Sequence, residues 1–414
     1  MKIISLVLAF ALVAGGVQAA DLAELQEQAL ANRAVIQRYA ADLARSEENE
    51  TLASSALYPS LDLAYTATWL DEASIYEDKQ TGVASGAISW NIFAGFRDRY
   101  NIKSAKLLRQ AEAYRLQGVR QDVKLVIALR YLEIYNRQAN LKVAEDSAST
   151  LGKLYEDGVN RFEVGLIKKS EMLKFKVDLD HAVIVEKKAR AELAKSIALL
   201  QRETGSEVDL TRLLFNEFTD LPDLQDQAAY EEDMLNKRSE IKLLEETLGA
   251  ATMQVKVARA GYYPRVDLAG KYSKYDNNPL GTTGDDDEIR TQLTLSMNIF
   301  AGFAVKSRVS AARFAEQGLR YDLEEVKRDF KVQLRNLFFD YRVSDDNVVV
   351  AANSIEQAEE NLRVNRLSYD EGVSTESELL DAITNLSRAK FNFVAAKSEG
   401  FANYFQIIRA VEGL

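Results

Sequence analysis

Apolar residues recur along this chain with two different periods, and the two periods alternate twice. From Ala94 to about Tyr155, residues such as Leu107, Ala111, Tyr114, Val119, Val123, Val126, Leu141, Ala144, Ala148 and Leu151 return mostly at three- and four-residue steps. That spacing predicts one amphipathic helix. At about 1.5 Å per residue such a helix is ~90 Å long, well beyond the usual helix of a globular domain. It is expected to end near Asp157-Gly158, with Gly165 in the following turn and a returning helix over Ile167 to Gln201. Ala301 to Arg366, the turn Tyr369-Asp370-Glu371-Gly372 and Ser377 to Ile408 repeat that order. Two further helices, Leu22 to about Ala56 and Asp226 to about Ala260, have the length needed to complete a long rod when laid end to end with a returning helix. Gly118 and Gly152 lie inside the first long helix and are read as bends or weak points.

Between the helices the period drops to two. Leu61, Leu63, Tyr65, Ala67 and Trp69 alternate with polar or small residues, and Val83 to Phe93 places Ile88, Trp90 and Ile92 on one face. In the second half Val266, Leu268, Gly270 and Tyr272 alternate, followed by Leu293, Leu295, Met297 and Ile299. Each run is about ten residues long, the length of a tilted membrane-spanning strand. Aromatic residues near the strand ends (Tyr58, Trp69, Trp90, Phe93, Tyr263, Tyr272 and Phe300) suit the two water-lipid boundaries. The connections, Asp71 to Gly82 and Asp276 to Glu288 with Asp285-Asp286-Asp287, are polar and acidic, as exposed loops should be.

The chain is a duplication. Trp90-Asn91-Ile92-Phe93-Ala94-Gly95-Phe96 returns 207 positions later as Met297-Asn298-Ile299-Phe300-Ala301-Gly302-Phe303, and Leu57-Tyr58-Pro59 returns 205 positions later as Tyr262-Tyr263-Pro264. The two-residue difference falls in the hairpin, where a loop tolerates it. The expected organisation is a first repeat over 20–205 with a hairpin at 58–93, a linker over 206–225, and a second repeat over 226–414 with a hairpin at 263–300. Only four prolines occur, and the long helical stretches contain none.

Composition narrows the chemistry. Met1-Lys2, an apolar run to Val17 and the exit Val17-Gln18-Ala19 read as a secretory signal peptide over 1–19. No later segment has the roughly 18 uninterrupted apolar residues of a transmembrane helix, so strands must carry any membrane insertion. With no cysteine and a single histidine, His181, no metal site, cofactor site or enzymatic centre is expected. His181 itself reads as a solvated or packed helix residue. A net charge of −11 argues against nucleic acid, and the phosphate-binding G-x-x-x-x-G-K-[ST] pattern is missing.

Four strands cannot close a barrel, and open strand edges are not tolerated in lipid. The subunit must therefore assemble, as eight strands in a dimer or twelve in a trimer, and strand arithmetic leaves that choice open.

Taken together, the duplication, the Tyr-Pro strand starts, the Asn-Ile-Phe-Ala-Gly-Phe strand exits and the two glycine turns resemble the TolC family of outer-membrane efflux proteins over nearly the whole mature chain. The resemblance implies a mixed α and β membrane protein with an internal two-fold repeat. It implies a homotrimer whose β-barrel, four strands per subunit, continues as a long α-helical barrel from the outer membrane across the periplasm. It also implies export, by tripartite efflux or type I secretion, with a periplasmic adaptor and an inner-membrane transporter as partners and outer-membrane lipid around the barrel.

The family's tunnel narrows at the periplasmic tip, where two acidic residues follow the second turn. Counted from Gly372, those positions hold Glu378 and Asp381, which the resemblance makes a gate ring. Three positions apart on a helix places both carboxylates on one face, six in a trimer, where they would attract cations and raise one another's pKa. The resemblance assigns tip contacts to Ser170, Glu171, Tyr369 and Ser374, and adaptor docking to the turns at Gly165 and Gly372. Ser374 departs from the family's pattern, which has arginine there, so the ion pair to Glu171 cannot form; Lys168 or Lys169 is a possible substitute charge. The main alternative is a soluble periplasmic coiled-coil adaptor or scaffold, which would need no membrane-length strands. A secreted hydrolase using paired carboxylates is the weaker rival, because a hairpin tip offers no enclosed pocket.

Overall fold

The computed structural model describes residues 21–73, 79–276 and 286–414; the signal peptide expected over 1–19 and parts of both hairpin loops lie outside them. The chain divides into two compact units, each drawing on both repeats. One contains the chain up to Ile36, Arg120–Met234 and Val332–Leu414; the other contains Gln37–Val119 and Leu235–Lys331.

The second of these units carries the sheet. Strands β1 (Ser60–Trp69), β2 (Gln80–Ala94), β3 (Arg265–Asp276) and β4 (Asp287–Ser296) form one antiparallel sheet in the order β1-β2-β3-β4. Because side chains alternate, the register sorts them into two faces. Leu61↔Ile88, Trp90↔Leu268, Leu268↔Leu293 and Tyr272↔Ile289 pair on one face. Ser60↔Ser89, Asn91↔Asp267, Asp267↔Thr294 and Lys271↔Arg290 pair on the other. The apolar face is uncovered within the subunit, with Leu63 at 84% and Ile289 at 80% exposure. Gly86 and Gly270 lie on it opposite Leu63 and Ile88, and a Cβ there would come within 3.3 and 3.0 Å of those side chains. The glycines make room for their larger neighbours.

Strand β2 runs to Ala94, but a bulge between Asn91 and Phe93 leaves Ile92 unpaired, and Phe93 rather than Ile92 continues the apolar row opposite Val266. Strand β4 is shorter than its periodicity predicts: it stops at Ser296, and Met297 to Phe300 are exposed and outside any strand. The cause is pairing. The end of β2 has β3 beside it, whereas β4 is an edge.

Both repeats leave the sheet through the same turn. Gly95 and Phe96 have φ of 62° and 67°, and Gly302 and Phe303 have 57° and 66°. A left-handed phenylalanine costs about 1–2 kcal/mol. In the first copy Phe96 is held by edge-to-face contacts with Phe93 and Tyr263 at 5.1 and 6.1 Å, and in the second Phe303 meets Phe300 at 5.5 Å. Asn91 Nδ2 donates to Asp98 Oδ2 at 2.7 Å, tying the strand exit to the first turn of the next helix.

The helices are α1 (Leu22–Asn32), α2 (Ala34–Ser55), α3 (Arg97–Glu163), α4 (Lys169–Thr204), α5 (Gln227–Lys237), α6 (Ser239–Arg259), α7 (Ala304–Asp370) and α8 (Glu376–Ala410). None is long and apolar enough to cross a membrane among the described residues, which says nothing of the strands. Two expectations are corrected. First, α3 does not end at Asp157-Gly158 but continues to Glu163; Gly158 is a packing residue, since a Cβ there would lie 2.7 Å from the Phe175 ring. Second, the two short helices are each split, at Arg33 (ψ 123°) and Arg238 (ψ 122°). These arginines are 205 positions apart, the offset of the Tyr-Pro signals. Arg33 pairs with Glu203, while Arg238 stacks 3.5 Å over Phe330 and pairs with Glu240 at 3.2 Å.

In the first unit the segment after α4 is a packed strap. Leu213 and Phe218 are buried, Phe218 meets Phe401 of α8 at 4.9 Å, and Phe215 meets Tyr131 of α3 at 4.9 Å.

Candidate functional site

The turns joining α3 to α4 and α7 to α8 lie in the same compact unit and have the same construction. Leu166 N donates to Arg161 O at 2.8 Å and Gly165 N to Phe162 O at 2.9 Å; Val373 N donates to Ser368 O at 2.8 Å and Gly372 N to Tyr369 O at 3.0 Å. This six-to-one closure needs a left-handed residue, supplied by Gly165 at φ 75° and Gly372 at φ 73°. Nothing within 4 Å would obstruct a side chain at either glycine, so backbone conformation, and not crowding, selects glycine there. Phe162, Val164, Leu166 and Val373 are exposed around the turns.

Below the turns Ala148, Leu151, Leu154, Phe175, Tyr369, Leu379 and Ile383 form a shared core. Tyr369 is edge-on to Phe175 at 6.1 Å, and the Arg161 guanidinium lies 5.2 Å from its ring centre. The buried Tyr369 hydroxyl has no hydrogen-bond partner among the described residues. Burial, ahead of nearby carboxylates including Glu171, pushes its pKa up.

Two ion pairs join the repeats here. Arg161 meets Asp370 at 2.7 Å, and Lys174 Nζ meets Glu376 Oε1 at 2.6 Å while also donating to Ser377 Oγ at 3.0 Å. The hydrogen bond with Lys174 holds Glu376 below the usual carboxylate range and pushes Lys174 up.

Glu378 has a structural task. Thr375 caps α8, accepting from Glu378 N at 3.3 Å, while Glu378 Oε2 accepts from Thr375 N at 2.8 Å, closing a reciprocal capping box. Ser374 Oγ donates to the same oxygen at 2.6 Å. The Ser374 hydroxyl, then the Thr375 groups, lower the Glu378 pKa within one subunit, opposite in direction to the repulsion expected within a ring. Asp381 is exposed one turn further along α8. In the first repeat the positions equivalent to Glu378 and Asp381 are Glu171 and Lys174, so the acidic pair belongs to the second repeat alone. Ser170 is exposed and Glu171 half-buried in the first turn of α4, where Lys168 occupies the N-cap without a side-chain capping bond.

Sequence reasoning missed Arg161, Asp370, Lys174 and Glu376, whose partners are 209 and 202 positions away. The capping box was legible as Thr375-x-x-Glu378. His181 is exposed on α4, at the margin of a cavity of about 250 Å³ that Asp178, Leu380 and Arg388 also line.

Long helical hairpins and a four-stranded sheet, apolar on one face and open at both edges, define a subunit of an outer-membrane channel. The profile of the outer membrane efflux protein family matches residues 25–206 and 232–408, and the chain belongs to that family. It is 23% identical to the outer membrane protein TolC of Vibrio cholerae over 96% of this chain and 92% of that protein, and 24% identical to TolC of Escherichia coli K12 over 95% and 82%. The crystal structure of the outer membrane protein VceC from Vibrio cholerae superposes with a TM-score of 0.81 over 95% of this chain and 96% of VceC, at 17% identity. The chain is therefore an outer-membrane export channel that extends into the periplasm, and not an enzyme. The soluble scaffold reading is set aside by the same findings.

Proposed function

We propose that three copies of this chain close a twelve-stranded barrel and act as the passive exit duct of a tripartite efflux or type I secretion system. A periplasmic adaptor and an inner-membrane transporter supply docking and energy. The observation that carries this reading is the sheet: four strands with one apolar face and two unpaired edges, which lipid tolerates only in a closed ring.

The duct narrows at the helical turns. Glu378 and Asp381 of three subunits form the gate ring, and Ser170, Glu171, Tyr369 and Ser374 face the neighbouring subunit's tip. The partnerless hydroxyl of Tyr369 supports a contact completed on assembly. The exposed apolar residues around Gly165 and Gly372 form the adaptor's seat. Lys168 and Lys169, which make no ion pair among the described residues, replace the charge missing at Ser374, since Lys174 is already paired with Glu376.

The test is the mass of the detergent-extracted particle, corrected for bound detergent. Three subunits support the shared barrel; a monomer that remains soluble without detergent would overturn it.

A further inference from the structure

The apolar face of the sheet is filled unevenly by the two hairpins. In the second it carries Ile289, Thr291 and Leu293 on β4, whereas the same positions of β2, 207 residues earlier, are Gly82, Ala84 and Gly86. These three alternate residues lie between Ala67, Tyr65 and Leu63 of β1 and Asp276, Lys274 and Tyr272 of β3. They leave a hollow of about 430 Å³, walled by Leu63 and Tyr65 on one side and by Tyr272 and Lys274 on the other. At Gly82 a Cβ would come within 2.7 Å of the Tyr65 hydroxyl, so the floor stays low where that side chain leans across.

Lys274 is the second departure between the copies. It stands where the first hairpin has Trp69, 205 residues earlier, and it is the one cation on the apolar face of the described strands. The carboxylates beside it on that face are Asp276 and Asp287, and Asp287 accepts from the Tyr272 hydroxyl at 3.2 Å. The long helices leave the sheet at its other end, after Ala94 and Ser296, so the hairpin end that carries Lys274 is the extracellular one.

We propose that this trough binds a phosphorylated glycolipid of the outer leaflet, one per subunit, with an acyl chain along Gly82, Ala84 and Gly86 and a head-group phosphate on the Lys274 ammonium. The proposal rests on the reading above, in which the apolar face meets lipid, and gives that face a ligand. From Gly82 to Gly86 the floor runs about 13 Å at ~3.4 Å per residue, an apolar channel open along its side as an acyl chain requires. The tyrosines at its rim are suited to the head-group level. A cation beside them meets phosphate and not hydrocarbon. The two carboxylates fix the sign of the contact: both repel a phosphate, so Lys274 has to hold it.

The probe is lipid A, titrated onto the detergent-extracted full-length particle and counted by native mass spectrometry, with phosphatidylglycerol as the competing phosphate lipid. Lipid A should be retained up to one per subunit and resist an equal amount of phosphatidylglycerol. Lys274→Gln should weaken retention about fivefold, the usual weight of one lysine at a charged membrane surface. Ala84→Leu, which raises the floor from an exposed position, should weaken it while the protein mass of the particle stays the same. Asp276→Asn should tighten it by removing a repulsive charge. Unchanged retention in both Lys274→Gln and Ala84→Leu would make the hollow ordinary lipid-facing surface and overturn the site. Displacement by phosphatidylglycerol would overturn the glycolipid, and weaker retention in Asp276→Asn would overturn the phosphate contact. A monomeric particle would overturn the assembly reading on which the site rests.

Discussion

Arg161 and Asp370 are 209 positions apart in the chain and 2.7 Å apart in space, one from each repeat, at the end of the helical hairpins. Their side chains are 34% and 48% exposed, so solvent screens the pair and its contribution to stability is small, about 0.2–1 kcal/mol. Arg161→Gln should therefore lower the thermal midpoint only slightly. It also releases the guanidinium from the Tyr369 ring and removes one of the two ion pairs that join the repeats here. In planar bilayers its single-channel conductance should exceed that of the unaltered protein, with Arg161→Lys intermediate because a point charge does not stack as a planar fork does. A large fall in thermal midpoint with unchanged conductance would make the pair structural only.

Acid should act in the same direction. The Lys174 hydrogen bond lowers the pKa of Glu376, and Glu376 in turn raises that of Lys174. A depressed carboxylate contributes stability above its unfolded pKa and loses it as pH falls through the folded value; a raised ammonium contributes below its unfolded pKa and loses it as pH rises through the folded one. The pair is thus intact between the ordinary carboxylate value of 4.5 and the ordinary lysine value of 10.5. Conductance should rise as pH falls below the ordinary carboxylate value and through the depressed one of Glu376. Glu376→Gln should show raised conductance at neutral pH and lose that part of the acid response.

Glu378 combines a charge with a cap, and two substitutions separate them. Glu378→Gln keeps a side chain able to accept from Thr375 N but removes the charge; Glu378→Ala removes both. If the ring binds cations, block of the channel by divalent ions should weaken in both variants. Only Glu378→Ala should also loosen the first turn of α8, measurable as faster amide exchange there. Thr375→Ala should leave cation block intact and cost about 1 kcal/mol, the usual worth of an N-cap. Undiminished cation block in Glu378→Gln would exclude Glu378 from the ring.

Much of this was readable from one sequence because the features are periodic and occur twice. A 67-residue helix announces itself through repeated three- and four-residue steps, and α7 has the same length as α3. Strand faces followed from alternation. The errors came where packing overrode local pattern. Gly158 looked like a terminator because nothing nearby in sequence reveals the Phe175 ring against it. The breaks at Arg33 and Arg238 carry neither proline nor glycine, and each arginine is explained by a partner: distant Glu203 for one, the Phe330 ring for the other. Met297 and Ile299 alternate as strand residues should, yet are not strand in the subunit, because alternation reports a face and cannot supply a pairing edge. At the tip, Glu378 and Asp381 are assigned through family resemblance alone, whereas the ion pairs beside them join residues about two hundred positions apart, out of reach of any local pattern.

The two Ala-Gly-Phe turns should respond differently to the same substitution. At Gly95 an added Cβ would lie 2.7 Å from Ala260 O and 2.7 Å from Tyr263 Cβ, and φ is already 62°. Gly95→Ala combines left-handed strain of about 1 kcal/mol with overpacking that typically costs 1–3 kcal/mol, so the yield of folded subunit should fall. At Gly302, with φ 57°, the lone subunit has nothing within 4 Å of the added atom. Gly302→Ala should therefore leave the subunit folded with only the backbone strain. If β4 pairs with the next β1 as β2 pairs with β3, the neighbour's Ser55 and Tyr58 occupy the places of Ala260 and Tyr263, and the same clash appears on assembly. The expected result for Gly302→Ala is a near-normal amount of helical subunit with a reduced trimer fraction, read by circular dichroism and by particle mass in detergent. A trimer fraction equal to that of the unaltered protein would show that the edge does not reproduce the internal joint.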